Sequence, residues 1–300
     1  MTSTILPKAC KFKQHIDSVD VSSSGHRVII SLSSLEGNTW DGSLKLLNGE
    51  GVEICSKHST AGISTVRFSG SRLLLAARDD GNVMMYSSDK LDEMQVFEAH
   101  DDIVSCVAVD PHNETRFATC GWDGAIHLWD WRLHSAKKMP VTSYINCHNG
   151  HVNEVKFSPF DPHSFISVGR DGLLRVWDKR AALSSGCSGI VNVGQTISCI
   201  SYESSDEKIL LVGTDAGDIS LLDLRGGGPC PVISVNRTHQ ARVRRIVASP
   251  SLESKQFVSA SDDKTYVICT RNNASVTQQK RYASDYLRCS LNWTFFFRLL

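Results

Sequence analysis

A long internal repeat constrains this chain more than any other feature. The segment from His100 to Arg132 aligns with the segment from His148 to Arg180 at a constant offset of 48 residues: His100 answers to His148, Asp123 to Asp171 and Trp129 to Trp177. Each copy holds three short apolar runs separated by turn residues. In the second copy these are Val152–Phe157, Phe165–Val168 and Leu173–Trp177, with Pro159 and Pro162 in the first gap and Asp171-Gly172 in the second. Alternation with period two marks half-buried strands, and Asp-Gly between two such runs marks a tight hairpin. No stretch sustains helical spacing. A unit of roughly 40–50 residues built from antiparallel strands cannot bury its apolar faces alone and must stack on its neighbours, as the blade of a β-propeller does.

Weaker copies follow once the register is known. The blades read as 15–50, 58–90, 100–133, 148–180, 195–226 and 239–272, with a partial seventh at 283–300, all within one domain, 1–300. The turn between second and third strands falls at residues 41, 80, 123, 171, 216 and 263. A seventh turn is due near roughly 310 by that spacing. The expected fold is therefore an all-β propeller, nominally seven-bladed, with six complete blades and the seventh truncated. Its last residues, Trp293-Thr-Phe-Phe-Phe-Arg-Leu-Leu300, are an apolar, β-prone tail.

Composition excludes several function classes. Lys+Arg and Asp+Glu are 32 each, so no global field draws the chain to nucleic acid or an anionic membrane. The run Arg242-Val-Arg-Arg245 reads as a solvated strand edge, with an anion site as the minority reading. None of the ten cysteines stands in C-x-x-C spacing, which argues against zinc ribbons and thioredoxin-like chemistry. The start of the chain lacks the apolar run of a signal peptide. Free, largely buried thiols in a reducing compartment, cytoplasmic and nuclear, are the expectation. No metal or cofactor is implied.

Trp129-Asp130 and Trp177-Asp178, each ending a third strand, resemble the namesake pairs of the WD-repeat family. The resemblance implies a buried tetrad in each blade, here His100, Thr119, Asp123 and Trp129, then His148, Ser167, Asp171 and Trp177. A carboxylate held away from water needs donors, and imidazole, hydroxyl and indole N–H supply them. Blade 6 keeps His239, Ser259 and Asp263 but has Cys269 for the Trp. Ser, His and Asp together also suggest a hydrolase triad, but they recur in register without a G-x-S-x-G elbow, so no catalytic residue is assigned.

Two patterns point to partners. Trp-Asp-Gly occurs at 40–42 and 122–124, where it reads as the second-to-third-strand turn of blades 1 and 3. A Trp there either projects as a binding anchor or lies flat on neighbouring loops. Both Trp129-Asp-Trp-Arg132 and Trp177-Asp-Lys-Arg180 fit W-D-x-R, which resembles the box of cullin-4 ubiquitin-ligase substrate receptors and nominates Arg132 and Arg180 as adaptor contacts. The favoured alternative is a strand-end cap.

The stretch Ile30-Ser-Leu-Ser-Ser-Leu-Glu-Gly-Asn-Thr-Trp40-Asp-Gly, with Gly62–Tyr86 and Glu98-Ala-His100-Asp-Asp-Ile-Val-Ser105, resembles the WD-repeat subunits of the methylosome. That resemblance implies a non-catalytic scaffold docked on the N-terminal barrel domain of a type II protein arginine methyltransferase. It implies a hetro-oligomer that helps present histone and Sm-type substrates for symmetric dimethylation, with no direct contact to nucleic acid or membrane. It places the partner contact at Trp40, flanked by Asn38, Thr39 and Asp41, with Asp80 and Gly81 beside it.

Overall fold

The computed structural model describes residues 14–36, 39–133, 139–181, 186–225, 232–251, 253–272 and 275–283, with the backbone alone at 35, 36, 39, 40, 275, 279 and 283. Within them lie six four-stranded antiparallel sheets, each a simple meander. Blade 1 comprises β1 (His15–Val21), β2 (Arg27–Glu36), β3 (Thr39–Asn48) and β4 (Glu53–Ser59). Blade 2 comprises β5 (Ile63–Ser69), β6 (Leu73–Arg78), β7 (Asn82–Ser87) and β8 (Glu93–Glu98). Blade 3 comprises β9 (Val104–Asp110), β10 (Asn113–Gly121), β11 (Ile126–Asp130) and β12 (Thr142–Tyr144). Blade 4 has β13 (Val152–Phe157), β14 (Ser164–Gly169), β15 (Leu173–Asp178) and β16 (Cys187–Asn192). Blade 5 has β17 (Ile197–Glu203), β18 (Asp206–Thr214), β19 (Asp218–Asp223) and β20 (Val232–Arg237). Blade 6 has β21 (Val243–Ala248), β22 (Gln256–Ser261), β23 (Thr265–Asn272) and β24 (Ser275–Ala283).

Apolar alternation predicts three strands per unit, and the structure adds a fourth in the segments between units. Outer strands such as β4 and β20 are exposed or half-buried at every position but Ser59, so their apolar signal is faint. Ala283, where a seventh blade was expected to begin, is the last residue of β24 and pairs with Thr265. Residues 284–300, which carry the rest of that expectation, lie outside the described residues.

First strands of successive blades lie side by side around a common axis. Because side chains alternate across a strand, each middle strand feeds two seams. Ile29, Leu44 and Leu46 pack with Val66, Leu74 and Ala76 between blades 1 and 2. Phe97, Phe117 and Trp129 pack with Leu75 and Val83 between blades 2 and 3. Three further clusters fill the seams up to blade 6. Each fully buried Leu or Phe is worth about 1.5–3 kcal/mol, so the seams hold the assembly together. The outward face of blade 1 (Val28, Ile30, Leu32, Leu47) and that of blade 6 (Val258, Ile268) are apolar too, and among the described residues no core cluster joins them.

Every blade carries a register shift where its first strand meets its second. In four consecutive blades the residue at this bulge reaches a backbone carbonyl of the next blade's first strand. Ser64 Oγ donates to Val104 O at 2.5 Å, Ser105 Oγ to Val152 O at 2.5 Å, Asn153 Nδ2 to Ile197 O at 2.6 Å and Ser198 Oγ to Val243 O at 2.6 Å. A bulge frees one residue from the ladder and re-aims its side chain, and here that side chain ties blade to blade. Blades 1 and 6 carry the charged Asp17 and Arg244 at this position, and Arg244 turns to Asp262 at 2.7 Å instead.

Candidate functional site

The tetrads of blades 3 and 4 form as the WD-repeat resemblance implies. His100 Nδ1 lies 2.9 Å from Asp123 Oδ2 and its Nε2 2.9 Å from Thr119 Oγ1, which also accepts the Trp129 indole N–H at 3.0 Å. His148 Nδ1 lies 3.0 Å from Asp171, its Nε2 2.8 Å from Ser167 Oγ, and Trp177 donates to Ser167 at 2.9 Å. One proton arrangement satisfies each chain with a neutral imidazole: indole N–H to hydroxyl oxygen, hydroxyl O–H to Nε2, Nδ1–H to carboxylate. In blade 6, His239 meets Asp263 at 3.1 Å and Ser259 at 2.8 Å, while Thr265 donates to Asp263 at 2.6 Å and buried Cys269 replaces the Trp. Thr119, Ser167 and Ser259 are all fully buried. A hydrolase nucleophile must reach its substrate, and these hydroxyls face only the protein interior.

The electrostatics agree with neutral imidazoles. Burial pushes His148 and His239 below the ordinary histidine range, even against the pull of Asp171 and Asp263. Burial alone would raise the carboxyls. The imidazoles and backbone N–H groups outweigh it for Asp123 and Asp171, and Thr265 and the Gln240 N–H help bring Asp263 to about 2. All these groups bind their protons at lower pH folded than unfolded, so their contribution is complete above about pH 6.5 and lost as pH falls. The melting temperature is therefore expected to drop on acidification from pH 7.5 to 5, and to drop further through the carboxylate range. A flat or rising profile in a thermal-shift series would contradict the neutral tetrad.

By the meander, the turns between second and third strands share one face with the entrances of the first strands. Gly81 (φ +82°) forms the blade 2 turn, and a Cβ there would stand 2.2 Å from His100 O. Asp80 is engaged by Arg78 at 2.5 Å and by the Asn82 N–H at 3.2 Å. Trp122 both projects from its turn and lies against a neighbouring loop. It is 41% exposed, and one face of its ring stacks on His151 at 4.4 Å and 8°.

Blade 1 departs from expectation. Trp40-Asp41-Gly42 is strand, not turn: Trp40 pairs with Leu35 and Asp41 with Ser34. The other five hairpins end their ladders at Ala77↔Val83, Cys120↔Ile126, Val168↔Leu174, Gly213↔Ile219 and Ala260↔Tyr266. The equivalent pair in blade 1 is Ser31↔Leu44, and five more follow it, from Leu32↔Ser43 to Glu36↔Thr39. At ~3.4 Å per residue the hairpin extends about 17 Å past the point where the others turn. Gly42 is required for a different reason than a turn, because a Cβ there would meet Ala61 O at 2.3 Å. Asp41 faces His58 at 3.7 Å. Asn38 lies outside the described residues, as do the side chains of Thr39 and Trp40.

A cavity of about 820 Å³ opens along the axis at this face, bordered by Asp79, Asp80, Trp122 and Arg242. Deeper in, charged groups converge that the sequence reading had not placed together. Arg245 of blade 6 crosses to Glu154 of blade 4 at 2.5 Å, and Glu154 also accepts the Ile200 N–H at 2.8 Å. Lys156 donates to Ile200 O at 2.8 Å, and burial brings it down to about 8. Arg67 donates to Ser18 Oγ at 3.1 Å. In the Arg242-Val-Arg-Arg245 run Arg244 is exposed, as a solvated edge requires, but Arg245 is not. Val243 to Arg245 begin an innermost strand, and Arg245 is half-buried in a cross-axis ion pair. Sequence could show charge on β13 and β21 but not that the two strands face each other across the axis.

Arg132 and Arg180 lie on the opposite face, where third strands end. Arg180 forks onto its own Asp178 at 3.0 and 2.7 Å. Arg132 lies over Trp131 at 5.3 Å, and its N–H is bound by Asp130. Among the described residues, His100, Asp123 and His127 are close enough together to suggest a metal. Both ring nitrogens of His100 are taken, and His127 Nδ1 bonds Ser143 at 2.9 Å, so the cluster reads as tetrad plus neighbour.

Residues 91–130 and 139–178 match the family described as WD domain, G-beta repeat. A ribosome biogenesis protein WDR12 homolog of Chlamydomonas reinhardtii is 35% identical over 106 residues, covering 31% of this chain and 23% of that protein. Polyadenylation factor subunit 2 of Candida albicans is 28% identical over 120 residues, 40% of this chain and 21% of that protein. The chain thus spans less than a quarter of the length of these curated relatives. A chain in the crystal structure of the mitotic checkpoint complex superimposes with a TM-score of 0.73 at 17% identity, covering 90% of this chain and 81% of that one. At that identity the likeness is one of fold.

Proposed function

We propose that this β-propeller, two of whose blades match the WD-repeat model, is a non-catalytic scaffold that binds protein at the face carrying the blade 1 hairpin. The observation that carries this reading is the hairpin itself, which alone of the six runs five pairs past the common turn level. A ladder that long offers a backbone arm on the same face as the half-exposed Trp122. Preorganised arms with aromatic anchors lower the ordering cost of binding.

The finer reading is a methylosome subunit of the cytoplasm and nucleus. Here Asn38, Thr39, Trp40 and Asp41 contact the N-terminal barrel domain of a type II protein arginine methyltransferase, with Asp80 and Gly81 beside them. It rests on the sequence resemblance of blades 1 to 3. The two curated relatives share only a short repeat stretch with this chain, so their names in ribosome biogenesis and polyadenylation bear on the repeat. The ligase-receptor reading is less favoured, since Arg180 is already forked onto Asp178.

Trp40→Ala should weaken binding of the purified barrel domain by about 2 kcal/mol, roughly 30-fold in Kd, with the melting temperature unchanged. Unaltered affinity removes Trp40 from the site. Affinity purification with mass spectrometry tests the complex. Recovery of a ligase adaptor, or of pre-ribosomal or polyadenylation factors, without any arginine methyltransferase would overturn the methylosome reading.

A further inference from the structure

Cys106 on β9 and Cys120 on β10 are directly opposed in the antiparallel ladder. Opposed residues point to the same face, and both thiols enter the core between blades 3 and 4. Such pairs have Cα atoms about 4.5–5.5 Å apart, inside the roughly 4.4–6.8 Å window that a disulfide spans without backbone movement. No other described cysteine has a cysteine opposite it: Cys55 pairs with Leu46, Cys187 with Trp177, Cys199 with Gly213 and Cys269 with Phe257.

The two thiols differ in what reaches them. Cys106 lies on the innermost strand of its blade and lines the axial cavity, whereas Cys120 is fully buried behind it. We propose that Cys106 and Cys120 form a reversible disulfide within blade 3, made by a peroxide entering through the axial cavity. The Cys106 thiolate attacks the peroxide, an S–O bond forms, the O–O bond breaks, and hydroxide leaves to take up a proton. Cys120 sulfur then attacks the Cys106 sulfenic acid; the S–S bond forms and the S–O bond breaks. The leaving oxygen departs as water with the Cys120 proton. Two thiols and one peroxide give one disulfide and two waters, with two electrons passing to the peroxide. The hydrogen bond from Cys120 holds the Cys106 thiol at about 7, while burial pushes Cys120 well up, which suits attacking and resolving roles respectively.

Arg116 lies between the two cysteines, so trypsin separates them and a disulfide appears as a pair of linked peptides. The reduced full-length protein is treated with an equimolar amount of hydrogen peroxide, alkylated in denaturant with N-ethylmaleimide and digested without reduction. The expected result is loss of both free thiols at 106 and 120 and a linked peptide pair that dithiothreitol abolishes. In Cys120→Ser, dimedone should label Cys106, and in the wild-type protein it should not. The proposal is overturned if Cys106 links to another cysteine, or if both thiols stay alkylatable while Cys55 oxidises. Equal dimedone labelling in both proteins also overturns it. Should Cys120→Ser fail to fold, the wild-type peptide map decides alone.

Discussion

Trp129→Ala is expected to destabilise the protein by about 3–5 kcal/mol, a large fraction of the stability of a typical domain. The indole is 1% exposed and fills the seam between blades 2 and 3, stacked on Phe117 at 5.9 Å and edge-on to Phe97 at 5.5 Å. Its removal opens a cavity among rings that cannot collapse without disturbing both sheets. It also leaves Thr119 Oγ1 without its indole donor. Trp129→Phe separates the two effects. It keeps most of the ring and loses the hydrogen bond, so a cost nearer ~1 kcal/mol is expected. Urea denaturation reads both values. A loss below about 1 kcal/mol for Trp129→Ala would show that this seam does not hold the blades together.

The second large effect lies on the axis. Glu154→Ala should cost about 3–5 kcal/mol, because it strands buried positive charge that the carboxylate now balances. Glu154 is 3% exposed and touches Arg245 at 2.5 Å and Lys156 at 3.9 Å. Burial alone would raise its pKa, yet Arg245 first and Lys156 next hold it below the ordinary range. Replacing the pair together, Glu154→Leu with Arg245→Met, should recover most of the loss, since buried ion pairs and apolar isosteres are often nearly equivalent. Lys156, already brought to about 8, can shed its proton in the double variant. The double-mutant cycle is the measurement; simple additivity of the two single losses would show that Glu154 and Arg245 do not act as a pair.

Much of this was legible from spacing. The 48-residue offset aligns blades 3 and 4, and the WD-repeat resemblance then names their tetrad residues. Blade 6 was legible for three of four members, and Thr265, which shares Asp263 with His239, was missed because it occupies no tetrad position. The outer strands escaped notice for lack of apolar residues. Trp40 was placed on a turn because Trp-Asp-Gly at 122–124 does form one, with Gly124 at φ +77°. In blade 1 the same triplet sits in a ladder that turns later, and Gly42 answers to the neighbouring Ala61 carbonyl.

The amino-acid sequence by itself determined the local units: strand alternation, the Asp-Gly turns between strands, and through their recurrence the propeller class. Each of these is an interaction within about 50 residues of chain, and a repeat prints it more than once. Only the tertiary structure decided what meets across blades. That includes the Ser and Asn bulge links and the Arg245–Glu154 bridge 91 positions apart. The bulge residues recur from blade to blade, but what they and Arg245 reach is set by the ring curvature and the convergence of first strands, which the local alternation of residues does not encode.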